Sequence, residues 1–141
     1  MIMNELQYRV TKSEAQKFAD AIEGLKQKPL GKTDPILRQA QIEAMQSQLE
    51  ELNHDLADYE ALKRRERTEF STHSLTELPL GLIQARITQG LTQEQLAEKL
   101  GVPKQQVQRD EDTLYASASL QRLAKVAEVL GVKLEARLEL V

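Results

Sequence analysis

The stretch Thr92–Glu111, with the sequence TQEQLAEKLGVPKQQVQRDE, predicts two short helices joined by a tight turn. Thr92 is a favourable helix N-cap, and Gln95 occupies the reciprocal position of a capping box. Gly101 permits the positive φ angle that a sharp helix exit requires. Pro103 is placed to open the second helix. The residues therefore predict a helix, a glycine turn and a second helix in close succession.

The spacing within this pair indicates a helix-turn-helix unit. Ala97 is small enough for the second helix to cross close to the first, Gly101 makes the turn, and Val107 fills the gap between the helices. Flanking helices are predicted over 79–90 and 119–131. The inner face of the last helix is predicted to be Leu120, Leu123, Ala127 and Leu130, with Val126 beside it. The alternative is a small helical bundle with no partner.

Residues 79–131 resemble the DNA-binding domain of the Xre family, which includes lambdoid phage repressors. The resemblance covers a little over a third of the chain and implies a mainly α, four-helix, repressor-like fold. The residues that carry it are Arg86, Gly90–Ala97, Leu100–Val102, Gln106–Arg109, Glu111, Ser119, Leu120, Leu123, Ala127, Leu130 and Gly131. More weakly, the order of arm and domain is similar to that of regulators found near toxin–antitoxin pairs of the host-inhibition-of-growth type.

The resemblance implies that two elements face double-stranded DNA: the start of the helix capped by Thr92, and the whole helix opened by Pro103, which is the recognition helix. Thr92 and Gln93 would hold phosphate through backbone amides and an amide side chain. The reading surface would consist of Lys104, Gln105, Gln106, Gln108 and Arg109. Gln can pair with adenine and Arg with guanine in the major groove. The alternative for the Gln residues is plain solvated helix surface.

Two further features follow from the comparison with the Xre pattern. Arg86 and Glu111 match positions that form a structural ion pair across the domain. Asp110 departs from the pattern, because the family usually places a large apolar or aromatic residue there. Either Leu114 or Tyr115 is expected to fill the missing apolar place. The acidic residues at the end of the recognition helix suit neither the helix dipole nor phosphate, so Asp110 is a reason to doubt DNA binding.

The last ten residues change to a two-residue repeat, which predicts a β-strand. The apolar positions are Val132, Leu134, Ala136, Leu138 and Leu140, and the charged positions are Lys133, Glu135, Arg137 and Glu139. A lone strand is not stable by itself. We therefore expect the strand to pair with its copy in a second subunit. The alternative is an extra turn of helix.

The first half of the chain predicts two helices. Thr11 and Glu14 form a capping box before a helix that ends near residue 27, and Asp34 caps a second helix over 35–65. The second helix carries a heptad seam of Ile42, Met45, Leu49, Leu52, Leu56 and Tyr59. An antiparallel hairpin is the simplest arrangement. Its remaining apolar surface predicts packing against a second chain, as a homodimer or on a partner such as a toxin.

These elements divide the chain into a helical hairpin or coiled-coil arm over 1–67, a linker over 68–78 and a DNA-binding domain over 79–141. The basic cluster Lys63–Arg67 lies where the long helix ends. It suits the negative end of the helix dipole, and contact with DNA phosphate is the alternative.

Composition excludes several functions. The chain has 141 residues, a net charge of −3, no Cys and two His residues far apart in the sequence. No catalytic group, metal site or cofactor-binding loop is predicted, so the chain is not expected to be an enzyme. No apolar run is long enough to span a membrane, and no signal peptide is recognised, so we expect a cytoplasmic location.

Two functions remain. The first is a dimeric, sequence-specific DNA-binding transcriptional regulator, expected to be a repressor and in one version an antitoxin. The second is a protein-interaction module that keeps the helix-turn-helix fold but no longer binds DNA. The acidic balance of the chain and Asp110 favour the second.

Overall fold

The computed structural model describes all residues from Met1 to Val141 and contains six helices and no strand. The chain divides into two compact units, Met1–Ala61 and Leu62–Val141. No helix combines the length and the apolar composition that a membrane crossing requires. The helices are α1 (Glu5–Gln27), α2 (Pro35–Lys63), α3 (Leu78–Thr88), α4 (Gln93–Leu100), α5 (Lys104–Asp112) and α6 (Leu120–Leu130).

In the first unit, α1 begins well before its predicted start. Asn4 is the N-cap, and its side chain accepts a hydrogen bond from the backbone N–H of Gln7 at 2.8 Å. The predicted start at Thr11 is wrong, because Thr11 lies inside the helix. The earlier turns are stabilised by packing, since the ring of Tyr8 stacks on that of Tyr59 with the centroids 5.2 Å apart.

The two helices of this unit form an antiparallel hairpin. At one end the hydroxyl of Tyr59 in α2 donates to Glu5 in α1 at 3.0 Å. At the other end the guanidinium of Arg38 donates to the carbonyl oxygen of Pro29 at 2.9 Å. Of the predicted seam, Ile42, Leu56 and Tyr59 are buried, while Met45, Leu49 and Leu52 are half-buried. The seam is therefore largely covered within the hairpin.

In the second unit, α3 to α6 enclose an aliphatic core. Helix α4 packs against α5 and α6, and α3 packs against α6. The most deeply buried apolar side chains are Leu82, Ile83, Leu96, Val107 and Val126. Leu120 was expected on the inner face of α6 but is 73% exposed. That expectation is wrong, because Leu120 is the first residue of α6 and lies beyond the packed turns.

The terminal segment, residues 132–141, forms neither the predicted strand nor a further turn of helix. The helix ends at Gly131, whose φ of 65° is left-handed, and the N–H of Val132 donates to the carbonyl of Ala127 at 2.9 Å. The strand is absent because its backbone groups need a neighbouring strand, and the chain contains no strand to pair with.

Candidate nucleic-acid interface

The turn between α4 and α5 has the geometry that the sequence predicted. The hydroxyl of Thr92 accepts from the backbone N–H of Gln95 at 3.0 Å, and the Gln95 side chain accepts from the N–H of Thr92 at 2.9 Å. Gly101 has a φ of 70°. The N–H of Val102 then donates to the carbonyl of Ala97 at 3.0 Å, which completes a Schellman-type exit. This exit fixes the direction in which α5 leaves.

Helix α5 has one buried side and one exposed side. Val107, Asp110 and Glu111 are buried at the i, i+3 and i+4 spacing of a single helix face. Gln105 and Arg109 are exposed on the opposite side, Lys104 is exposed in the first turn and Asp112 at the end of the helix, while Gln106 and Gln108 are half-buried. The solvent-accessible residues of α5 therefore carry two cations, one amide and one carboxylate. This side could contact a nucleic-acid groove without moving the buried residues.

A bidentate ion pair connects α3 to the end of α5. The Nε of Arg86 lies 2.7 Å from one carboxylate oxygen of Glu111, and its Nη2 lies 2.8 Å from the other. The two side chains are 3% and 0% exposed. The remaining Nη1 of Arg86 donates to the carbonyl of Leu91 at 2.7 Å. The two parallel contacts fix the relative orientation of the two buried side chains. Removal of one partner would leave a buried charge unmatched.

Gln93 takes part in the same network. Its side chain is buried, and Nε2 donates to a carboxylate oxygen of Glu111 at 2.9 Å. The amide that the resemblance assigned to phosphate therefore supports the ion pair inside the domain. Thr92, the neighbouring residue, is exposed at the N-terminus of α4. Phosphate contact at this helix end stays a prediction.

Asp110 is buried and paired, an arrangement that the sequence did not reveal. The Nη1 of Arg122 in α6 lies 3.1 and 3.0 Å from the two carboxylate oxygens. The side chains are 9% exposed for Asp110 and 38% for Arg122. The amide oxygen of Gln106, in the orientation that satisfies its surroundings, also accepts from this guanidinium at 2.5 and 3.0 Å. Gln106 is therefore partly engaged within the domain.

The loop after α5 supplies the expected apolar side chain. Tyr115 is 4% exposed and Leu114 is 45% exposed, so Tyr115 occupies the interior. Both residues have a positive φ, 51° for Leu114 and 56° for Tyr115. Burial, reinforced by the carboxylates of Glu111 and Asp110, raises the pKa of Tyr115 above its ordinary value. The phenol is therefore neutral under ordinary conditions.

The basic cluster Lys63–Arg67 makes contacts within the second unit. The Nε of Arg65 donates to the carbonyl of Thr88, the last residue of α3, at 3.0 Å. Arg64 pairs with Glu66 at 2.7 Å. Lys63 lies in the last turn of α2, as the helix-terminus interpretation expects, and Arg65 contacts the C-terminal end of α3.

Comparison with known families supports the resemblance. Residues 82–136 match the family model described as helix-turn-helix, which accounts for 55 of the chain's 141 residues. Comparison with curated proteins and with solved structures gave no match. The matched segment includes α4, α5 and α6 and most of α3. The match supports the resemblance of this segment to the helix-turn-helix domains of the Xre, lambda repressor-like class, which are found in DNA-binding regulators.

Proposed function

We propose that this chain is a sequence-specific DNA-binding transcriptional regulator, a repressor that acts as a homodimer. The main observation is the division of charge on α5. Lys104 and Arg109 are exposed, whereas the carboxylates of Asp110 and Glu111 are buried in ion pairs with α6 and α3. Asp112 is the one exposed carboxylate of α5, so the solvent-accessible residues of the helix still carry a net positive charge that the net charge of −3 of the whole chain conceals.

The proposed contacts differ in kind. Arg109 and Gln105 lie one helical turn apart on the exposed side, where a guanidinium and an amide could read guanine and adenine edges. Lys104 at the start of α5 and Thr92 at the start of α4 would contact phosphate. Gln108 is half-buried and would contribute at the edge of the surface. Gln93 and Gln106 would act mainly by holding the helices in place.

A dimer would present two α5 helices to half-sites about 34–36 Å apart. The terminal segment is one route to the dimer, because it leaves apolar side chains exposed and has no strand partner within the chain. The hairpin is the other route. Leu6 and Val10, one turn apart on α1, are 63% and 50% exposed. A cytoplasmic location would give such a regulator access to DNA.

An antitoxin is a narrower version of the same proposal. In that version the exposed residues of α1 would bind a toxin while the C-terminal domain represses the shared operon. The competing function is a protein-interaction module, for which Asp110 was the strongest residue-level argument. Its ion pair with Arg122 weakens that argument, since the carboxylate is buried and its charge is matched.

A salt titration of binding to the DNA upstream of the chain's own gene tests the proposal. We expect tight binding to one site, with an affinity that falls steeply as salt rises because counterions are released from contacted phosphates. Arg109→Ala should weaken binding to this site roughly tenfold. Lys125→Ala is the matched control, since it also removes one exposed cation but lies on α6. Equal binding to the upstream site and to unrelated DNA would support the interaction module instead.

A further inference from the structure

The terminal segment contains two ion pairs between alternate residues. Lys133 pairs with Glu135 at 2.6 Å, and Arg137 pairs with Glu139 at 3.0 Å. Each pair joins residues two positions apart, which lie on the same side of an extended backbone. In a strand, the four charged residues of the segment would therefore occupy one face.

The alternate residues of the segment are apolar, and those toward its end are uncovered. Leu138 and Leu140 are almost fully exposed, and Leu134 is 50% exposed. Three large apolar residues at alternate positions need a partner when the segment forms a strand. The chain contains no other strand, so a second copy is the simplest source of one.

We propose that two copies of this segment pair as antiparallel strands, with the twofold axis at Ala136. This inference rests on the homodimer proposed above and names its contact and register. Lys133 then lies opposite Glu139 of the partner subunit, and Glu135 lies opposite Arg137 of the partner subunit. The symmetry generates each pair twice, so all charges of the segment meet an opposite charge. The apolar residues likewise meet apolar residues on the other face.

Shifting the register by two residues destroys this complementarity. With the axis at Glu135, that residue would face its own copy and Lys133 would face Arg137 of the partner subunit. With the axis at Arg137, that residue would face its own copy. Like charges directly opposite one another destabilise paired strands. A one-residue shift places charged residues opposite apolar ones and mixes the two faces.

Two registers shifted by four residues remain to be compared. An axis at Leu134 or at Leu138 keeps opposite charges together, but each retains only half of the charge pairs and shortens the ladder. An in-register parallel arrangement would place every charge beside its own copy. The arrangement centred on Ala136 is therefore the one in which the segment is fully self-complementary.

Cysteine crosslinking in the full chain tests this register, because the chain contains no cysteine of its own. The variants are Ala136→Cys, Leu134→Cys and Leu138→Cys, each treated with a mild oxidant at equal concentration. Opposite residues in antiparallel strands have Cα atoms about 4.5–5.5 Å apart, which permits a disulfide. Residues two positions from the axis lie about 14 Å from their own copy, which does not. Ala136→Cys should therefore give a covalent dimer roughly tenfold faster than the other two.

Charge exchange provides a second measurement that avoids cysteine. Lys133→Glu should weaken dimerisation roughly tenfold, because Glu would face Glu139 of the partner subunit at two places. Adding Glu139→Lys should restore the parent affinity. In a dimer centred on Leu134, the same double variant would stay weak, because position 133 would still face Glu135 of the partner subunit. Sedimentation of the parent and both variants distinguishes the two results.

Fastest crosslinking at position 134 or 138, no preference among the three variants, or no rescue by Glu139→Lys would each overturn the proposed register. DNA binding by the parent is measured in parallel on the upstream site. If the crosslinking or the charge exchange contradicts the register but the parent binds the upstream site, the proposed function is retained and only the register is rejected. Position-specific crosslinking without DNA binding would reject the regulator and retain the strand pairing.

Discussion

The guanidinium of Arg122 contacts both carboxylate oxygens of Asp110, and this pair ties α6 to the end of α5. The Xre pattern usually has a large apolar or aromatic residue at the position of Asp110. Here the place is occupied by an ion pair, with the ring of Tyr115 buried nearby. The orientation of α5 therefore depends on a polar contact between helices that are joined only through a loop.

The first prediction concerns this contact. Arg122→Ala should lower the free energy of unfolding of the second unit by about 1–3 kcal/mol, because Asp110 keeps a buried charge without its partner. DNA binding should weaken as well, although Arg122 touches no base in the proposal. Urea unfolding followed by circular dichroism gives the stability, and titration of the upstream site gives the affinity.

A double-mutant cycle supplies the control for the first prediction. Asp110→Asn with Arg122→Ala should be more stable than Arg122→Ala alone, because the uncompensated charge is gone. Lys125→Ala, which breaks only an exposed pair with Glu128, should change stability by less than about 0.5 kcal/mol. Additive effects of the Asp110 and Arg122 substitutions would show that the pair does not couple the two helices.

The second prediction concerns Arg86 and Glu111, which are almost fully buried. Arg86→Ala should cost about 3–5 kcal/mol, because the Glu111 carboxylate loses both guanidinium contacts. Arg86→Lys keeps the charge but cannot form the bidentate contact, and this variant should remain clearly less stable than the parent. DNA affinity should fall with both variants, since the pair fixes the end of α5. A parent-like melting temperature and parent-like DNA binding of Arg86→Ala would contradict the role assigned to the pair.

The local features of the helix-turn-helix could be predicted from sequence because they depend on neighbouring residues. Thr92 and Gln95 cap one helix within a single turn, and Gly101 needs only its own backbone freedom. The start of α1 was missed for a tertiary reason. Asn4 and Thr11 are both acceptable caps, and the contact between Tyr8 and the distant α2 favours the earlier one.

The pairing of buried polar groups with partners in other helices could not be predicted in the same way. Nothing near Asp110 in the sequence indicates that Arg122, in another helix, will match its charge. A resemblance to a family does not supply this pairing, because the pair occurs where the chain departs from the family's usual residue. The burial of Gln93 against Glu111 could not be predicted from sequence either, because it follows from how α4 and α5 pack.

The third prediction concerns Asp112, which is exposed, unlike its two acidic neighbours. Asp112→Asn should strengthen binding to the upstream site about two- to fivefold, because a carboxylate near the C-terminus of α5 repels phosphate and opposes the helix dipole. The gain should shrink as salt rises. Glu14→Gln is the matched control, since it removes one exposed carboxylate from α1. An equal gain from the control would mean that net charge, and not the position of Asp112, sets the affinity.

The fourth prediction follows from the raised pKa of Tyr115, whose first cause is burial and whose second is the carboxylate of Glu111. A phenol with a higher pKa in the folded chain resists ionisation there, while the unfolded chain ionises near pH 10. Its contribution to stability is therefore fully present below pH 10. Above pH 10 it declines by about 1.4 kcal/mol per pH unit until the folded pKa is reached.

Tyr115→Phe removes this dependence while keeping the ring in place. The variant should resemble the parent near neutral pH and should become the more stable of the two above pH 10. Urea unfolding at several pH values gives the difference between the two proteins, so that ionisation of lysines cancels. Tyr8→Phe is a comparison and not a blank, since the hydrogen bond to Glu60 raises the pKa of Tyr8 as well and should give the first unit a pH dependence of its own. A constant difference between parent and Tyr115→Phe across this pH range would show that the phenol ionises as easily in the folded chain as in the unfolded one.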